Sequence, residues 1–85
     1  MSELQTAFQA AVIQSQQRSQ RPDNATLLRL YGLYKQASAG DNKAPKPGFA
    51  DMVGRAKWDA WNKLQGMEAE DAMQQYIDGI AALDD

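Results

Sequence analysis

The spacing of the apolar residues constrains this fold most, because they recur every three or four positions in four separate segments. Such spacing places apolar side chains on one face of an α-helix. We predict helices from residue 4 to near residue 18, from 24 to about 39, from roughly 50 to 65 and from about 68 to 83. No segment alternates polar and apolar residues as a strand does. The pattern therefore predicts an all-α four-helix bundle.

Helix-breaking residues lie between these segments. Asp23 follows Pro22 at a position where its carboxylate can cap the second helix. Gly40 suits the left-handed conformation that often ends a helix, and Gly66 suits the end of the third helix. Residues 40–48 contain two further prolines, so we expect one long loop between helices 2 and 3. The second helix is apolar on more than one face, so it is predicted to contact neighbours on two sides.

Composition predicts a single domain over residues 1–85 and argues against catalysis. A chain of 85 residues can form one modest core, and 44% apolar with 24% charged residues is ordinary for a globular domain. It has no cysteine and no histidine. It therefore lacks the commonest general base at neutral pH, the thiolate nucleophile, and the histidine and thiolate groups that most often bind transition metals. We expect neither an enzyme nor a cofactor.

Charge is divided unevenly along the chain. Residues 1–63 hold all nine Lys and Arg with five acids, whereas residues 64–85 hold six acids and no base. A basic body with an acidic final segment favours a small anionic ligand over nucleic acid or an anionic membrane. Residues 1–20 show no secretory signal pattern, and no apolar run is long enough to cross a membrane. We expect a cytoplasmic protein without integral membrane association.

Three segments closely resemble the signature motifs of the acyl-CoA-binding protein family. They read LYGLYKQASAGDNKAPKPG at 30–48, AKWDAWNKLQG at 56–66 and DAMQQYI at 71–77. The resemblance implies that family's four-helix fold and the binding of long-chain fatty acyl-CoA esters. It further implies an intracellular carrier and pool former that acts as a monomer, with acyl-CoA as its ligand and no separate cofactor.

The resemblance also implies a set of ligand-binding residues. Those expected to contact the nucleotide head of the ligand are Tyr31, Lys35, Lys57 and Tyr76. Those expected to line the acyl groove are Phe8, Ala11, Val12, Leu27 and Leu28. The spacing of Leu28, Tyr31 and Lys35 places an apolar group, a ring and a cation along one helix face, in an order that suits an amphipathic ligand. Gln16 stands where many members carry lysine, which implies weaker head-group binding.

Other readings of the same residues remain open. Tyr34 is expected to pack beneath the ligand-facing surface, and Trp61 to anchor the core. The bundle can instead be an adaptor whose groove accepts a partner helix. An acyl-CoA hydrolase or transferase is a third hypothesis, although the four serines have no evident base beside them.

Overall fold

The computed structural model describes residues 2–83, so Met1 and the acidic pair Asp84 and Asp85 lie outside the described part. Four helices follow one another along the chain: α1 (Glu3–Gln16), α2 (Asn24–Ala39), α3 (Met52–Asn62) and α4 (Ala69–Ala82). Residues 2–83 contain no strand. The predicted all-α architecture and the long connection between α2 and α3 are confirmed.

Side-chain caps define where three helices begin: Ser2 caps α1, Asp23 caps α2 and Asp51 caps α3. The Asp23 carboxylate accepts the Thr26 N–H at 2.8 Å, which confirms the predicted start of α2. Asp51 accepts the Gly54 N–H at 2.9 Å in the same way. This cap starts α3 at Met52, two residues later than predicted, because a capping residue does not adopt helical backbone angles.

Helices α1 and α3 end earlier than the apolar periodicity predicts, whereas α2 ends at Ala39 as predicted. Helix α1 stops at Gln16 rather than near residue 18, and α3 stops at Asn62, where residues 63–66 form a turn. Gly66 closes that turn with a φ of 87°, which glycine adopts without strain. Gly40 ends α2 with a φ of 79° but an extended ψ of −152°, so only the sign of its φ matches the predicted left-handed conformation.

Helix α2 is the centre of the bundle. It packs against α3 on one side and α4 on the other, while α1 packs on α4, and this confirms that α2 contacts two neighbours. The buried apolar core joins α1, α2 and α4: Phe8, Ala11, Leu30, Leu33, Ala37, Ala72, Tyr76 and Ile80. Because α1 and α2 meet α4 without packing along each other, a cleft remains between them.

A glycine sets the distance between α2 and α3. A Cβ added to Gly32 would lie 2.6 Å from the Ala60 carbonyl oxygen and 2.9 Å from its carbon. No side chain larger than hydrogen fits at this crossing without moving a backbone. Gly32 therefore permits the close approach that holds α3 beside Tyr31.

The apolar stripe predicted for α3 does not enter the core, because no residue of α3 is buried. Met52 and Val53 are 77% and 67% exposed. Within the described residues α3 packs on α2 alone, so its first turn has no neighbour that would cover these side chains. Tyr34, expected beneath the surface, is also 40% exposed, because it faces the open cleft between α1 and α2.

Candidate functional site

Two tryptophans of α3 hold the long loop in place. Trp61 donates its indole N–H to the Gly40 carbonyl, and Trp58 donates to the Ala44 carbonyl, both at 2.8 Å. The Lys35 ammonium lies 4.9 Å from the centre of the Trp61 ring, a cation–π distance. Trp61 therefore anchors the long loop. The expectation that it anchors the core is wrong, because Trp61 does not belong to the buried core cluster.

A polar network ties the end of α2 to the α3–α4 turn. Gln36 is 1% exposed, and its amide donates to the Asp41 carboxylate at 2.9 Å and to the Met67 carbonyl at 2.8 Å. The Gly66 N–H donates to the same carboxylate oxygen at 2.8 Å. These bonds, first from Gln36 and then from Gly66, hold the pKa of Asp41 below its ordinary value of 3.8. Gln36, Asp41 and Gly66 therefore hold together the elements that carry the site, instead of contacting a ligand themselves.

One concave surface, which we name the tyrosine cleft, lies between α1, α2 and α4. It has a volume of about 270 Å³. Three tyrosines from two helices face it, together with polar groups of α1 and apolar groups of α2 and α4. Its lining residues are Val12, Ser15, Gln16, Arg18, Pro22, Leu27, Leu30, Tyr31, Tyr34, Tyr76, Ile80 and Leu83.

Ring contacts and hydrogen bonds fix the floor of the tyrosine cleft. The ring of Phe8 stacks on Tyr34 with centroids 6.0 Å apart and meets the edge of Tyr76 at 5.3 Å. The Tyr76 hydroxyl donates to the Ser15 hydroxyl oxygen at 3.2 Å. Tyr76 is 5% exposed, so it is a nearly buried floor residue with a polar end.

The second surface, which we name the apolar groove, lies between α2 and α3 and has a volume of about 570 Å³. That volume falls in the range of roughly 300–1,000 Å³ typical of small-molecule sites. Its lining residues are Arg21, Asn24, Leu27, Leu28, Tyr31, Met52, Val53, Ala56 and Lys57. The Lys57 ammonium lies 5.5 Å from the centre of the Tyr31 ring. A cation therefore stands at the edge of a largely apolar surface.

The tyrosine cleft and the apolar groove are adjacent because Tyr31 and Leu27 line both. The structure brings Tyr31 and Lys57 together, and it places Tyr76 in the floor of the tyrosine cleft. Lys35 lies one helical turn beyond Tyr31 and faces Trp61.

The residues expected to line the acyl groove are divided among three places. Leu27 and Leu28 line the apolar groove, and Val12 lines the tyrosine cleft. Phe8 and Ala11 are buried in the core, at 7% and 6% exposure, because α1 packs that face on α4. They support the cleft from beneath instead of forming a wall of the apolar groove.

Sequence reasoning missed two arginines that flank these surfaces. Arg18 lines the tyrosine cleft and donates to the Leu83 carbonyl at 3.1 Å. Arg21 lines the apolar groove and donates to the Asn24 side chain at 3.0 Å. The sequence shows that all Lys and Arg residues precede residue 64, but it does not indicate which of them face a concave surface.

Residues 2–83 contain neither a cluster of metal ligands nor a helix that could span a membrane. In this part of the chain no group of three or more potential ligand side chains is arranged to hold a metal ion. Nor does any described helix combine the length and apolar character needed to cross a membrane.

Comparison with known proteins relates the whole fold to one family. The sequence matches the family described as acyl CoA binding protein over residues 5–80. It is 46% identical to the acyl-CoA-binding protein homolog of Drosophila melanogaster, over 89% of this chain and 88% of that protein. It is 53% identical to acyl-CoA-binding domain-containing protein 5 of Xenopus tropicalis over 87% of this chain, but spans only 17% of that relative.

Solved structures agree with this relationship. Acyl-CoA-binding protein 2 of Oryza sativa superposes with a TM-score of 0.90 at 36% identity, covering 94% of this chain and 87% of that one. The protein from Moniliophthora perniciosa gives a TM-score of 0.88 at 34% identity, covering 100% and 85% respectively. The matched family, the curated relatives and the shared fold agree, and this chain belongs to the acyl-CoA-binding protein family.

Proposed function

We propose that this chain binds long-chain fatty acyl-CoA esters and acts as an intracellular carrier and pool former. The observation that supports this most strongly is the junction at Tyr31, where an aromatic, polar cleft meets an apolar groove beside the Lys57 ammonium. An acyl-CoA ester has the same division into an aromatic, anionic head and an apolar chain. We assign the head to the tyrosine cleft and the chain to the apolar groove.

The tyrosine cleft suits the nucleotide head. Tyr34 offers 40% of its surface and Tyr31 is half-buried, so both rings are available for adenine to stack on. Arg18 lines the same cleft, where its charge can attract phosphate. It can partly replace the positive charge that is missing at Gln16, where many family members carry lysine. Tyr76 acts from the floor, where its ring contacts the Phe8 ring edge to face and its hydroxyl donates to Ser15.

Two lysines are proposed to bind phosphate from either side of Tyr31. The Lys57 side chain is exposed and lies over the Tyr31 ring, so its ammonium can swing to a phosphate at the junction. Lys35 is half-buried against Trp61, one turn further along α2. A charge-assisted hydrogen bond of this kind contributes about 1.5–3 kcal/mol.

The apolar groove suits the acyl chain. Leu27, Leu28 and Ala56 form its inner surface, and Met52 and Val53 its outer edge. At about 0.8 kcal/mol per buried methylene, a sixteen-carbon chain gains on the order of 10 kcal/mol before association costs are subtracted. The chain therefore sets most of the affinity, whereas the head sets specificity.

In this proposal the chain catalyses no reaction. We infer a monomeric cytoplasmic protein that releases its ligand unchanged. The relatives include enoyl-CoA delta isomerase 2 of Rattus norvegicus, of which this chain spans only 21%. In our proposal the segment shared with such proteins supplies binding alone.

Calorimetric titration with palmitoyl-CoA, CoA and palmitate as separate ligands tests this function. We expect one-to-one binding of the ester, with free CoA and free palmitate each at least about 100-fold weaker, because each fills only one of the two surfaces. Equal affinity for the ester and for palmitate would contradict the assignment of the head to a specific cleft. Absence of binding by the ester would refute the proposal as a whole.

A further inference from the structure

We propose that a third concavity, between α2, α3 and α4, is a separate binding site for a small carboxylate with an aliphatic tail. We name it the rear groove. It has a volume of about 450 Å³, and its walls include Ala25, Arg29, Leu33, Ala60, Lys63 and Leu64. None of its lining residues lines the tyrosine cleft. Binding in the rear groove therefore does not rest on the proposed function.

The α2–α3 contact separates the rear groove from the apolar groove. Leu28 of α2 and Ala56 of α3 line both grooves, and the other lining residues of the two grooves differ. Ala25, Arg29 and Leu33 recur every four positions, so they form a stripe of their own along α2. A ligand in the rear groove therefore leaves Tyr31 and the tyrosine cleft free for acyl-CoA.

The shape and lining of the rear groove suit an aliphatic chain. Leu33 is buried, and Leu64 packs against the core from the turn after α3. The α2 wall runs from Ala25 to Leu33, which is about 12 Å at the helical rise per residue. A partner helix is about 10–12 Å across with its side chains, so it is too thick to enter this groove. An extended alkyl chain is thin enough to lie along it.

Two cations without partners flank this apolar interior. The Arg29 guanidinium lies beside α4, since a Cβ added to Gly79 would be 3.5 Å and 4.0 Å from its two terminal nitrogens. Lys63 lines the groove from the end of α3. Within residues 2–83 neither side chain makes an ion pair or a hydrogen bond. Both cations are therefore available for charge-assisted hydrogen bonds to a carboxylate.

The acids near the rear groove do not line it. Those within four positions of a lining residue are Asp23, Asp59, Glu68, Asp71 and Asp78. Asp23 caps α2, and the Asp59 carboxylate lies 3.7 Å from the Lys46 ammonium. Asp78 accepts an amide N–H from Gln74 at 3.0 Å, whereas Glu68 and Asp71 lie at the positive N-terminal end of α4. With two cations and no acid among its lining residues, the rear groove favours an anion.

Titration with decanoate, followed by NMR of isotope-labelled protein, tests this site. Decanoate is added both to the free protein and to protein saturated with palmitoyl-CoA, and decanol serves as the neutral ligand with the same tail. Arg29→Gln and Lys63→Gln are the test variants. Arg55→Gln is the matched control, because Arg55 also lies on a helix but lines none of the three surfaces. Thermal unfolding is measured for each variant.

We expect decanoate to shift the amide signals of Ala25, Leu64 and Gln75 whether or not palmitoyl-CoA is bound, with a Kd on the order of 1 mM or tighter. Arg29→Gln and Lys63→Gln should each raise this Kd about fivefold or more, because each removes a charge-assisted hydrogen bond. Decanol should bind more weakly by a similar factor. Arg55→Gln should leave the Kd unchanged.

Three results would overturn the rear-groove site even if palmitoyl-CoA binds. These are the absence of shifts, shifts that lie around Val53 and disappear when palmitoyl-CoA is bound, and an equal rise in Kd for Arg29→Gln and Arg55→Gln. The second result would place decanoate in the apolar groove, and the third would indicate non-specific attraction to positive charge. Shifts around Ala25 and Leu64 in a protein that fails to bind palmitoyl-CoA would support the rear groove and refute the proposed function alone.

Discussion

Gly32→Ala tests the packing of α3 on α2, on which the apolar groove depends. The added Cβ would lie 2.6 Å from the Ala60 carbonyl oxygen, 2.9 Å from its carbon and 3.3 Å from the Trp61 nitrogen. Since real Cβ atoms essentially never approach within 3.0 Å, the carbonyl must retreat by about 0.4 Å or more. All three atoms are backbone, so α3 has to move as a unit instead of turning a side chain away.

Two opposing effects determine how much Gly32→Ala lowers the free energy of unfolding. Replacing a glycine inside a helix by alanine favours folding by about 0.5–1 kcal/mol. Forcing extra volume into a packed interface costs about 1–3 kcal/mol. We expect a net loss of about 1–2 kcal/mol in the free energy of unfolding. For a domain of this size each kcal/mol lowers Tm by roughly 4–8 °C.

Thermal and urea unfolding followed by circular dichroism measure the effect, with Gly48→Ala as the matched control. A Cβ added to Gly48 meets nothing within 4 Å, and its φ is not in the positive range, so stability should change by less than about 0.5 kcal/mol. Palmitoyl-CoA affinity of Gly32→Ala should also fall, because the walls of the apolar groove separate. If Gly32→Ala is as stable as the wild type and binds equally well, the close α2–α3 crossing does not support the site.

Three further substitutions test the ligand site and the hydrogen bonds that support the fold. Lys57→Gln should weaken palmitoyl-CoA binding about tenfold or more in calorimetry, because a charge-assisted bond worth about 1.5–3 kcal/mol is lost, whereas Lys43→Gln, a charge change outside the site, should not. Tyr76→Phe removes the hydrogen bond to Ser15 and should lower the free energy of unfolding by about 0.5–1.5 kcal/mol in urea titration; an unchanged midpoint would show that this bond is not stabilising. The lowered pKa of Asp41 stabilises the fold above pH 3.8 and this contribution is lost as pH falls through the folded-state pKa, so Asp41→Asn should be less stable than the wild type at neutral pH and approach it in acid. A stability difference that stays constant from neutral pH to strong acid would contradict this assignment.

The helical architecture could be predicted from sequence because local signals determine it. Asp23 caps α2 where the sequence places it, and the glycines at 40 and 66 have the positive φ that their positions suggest. The bounds of α3 were less accurate, since the Asp51 cap starts the helix at Met52, two residues after its predicted start, and a turn replaces its last residues. Periodicity identifies a helical face but not the residue at which capping begins.

The positions of the site residues depended on packing that periodicity does not contain. Met52 and Val53 follow the apolar pattern of a core, yet α3 has a single helical neighbour in the described fold and leaves them exposed. Phe8 occupies a position expected in the acyl groove but is buried under Tyr34 and Tyr76. The side of a helix that stays exposed to a ligand depends on which neighbouring helices cover the other sides.

The most direct test of the proposed site is to locate the far end of the bound chain. A palmitoyl-CoA that carries a nitroxide near the terminal methyl broadens the NMR signals of nearby amides in isotope-labelled protein. We expect strong broadening around Leu28, Val53 and Ala56 in the apolar groove, and little around Ser15 and Ile80 in the tyrosine cleft. The reverse pattern would place the acyl chain in the tyrosine cleft and contradict the division of the site into head and chain surfaces.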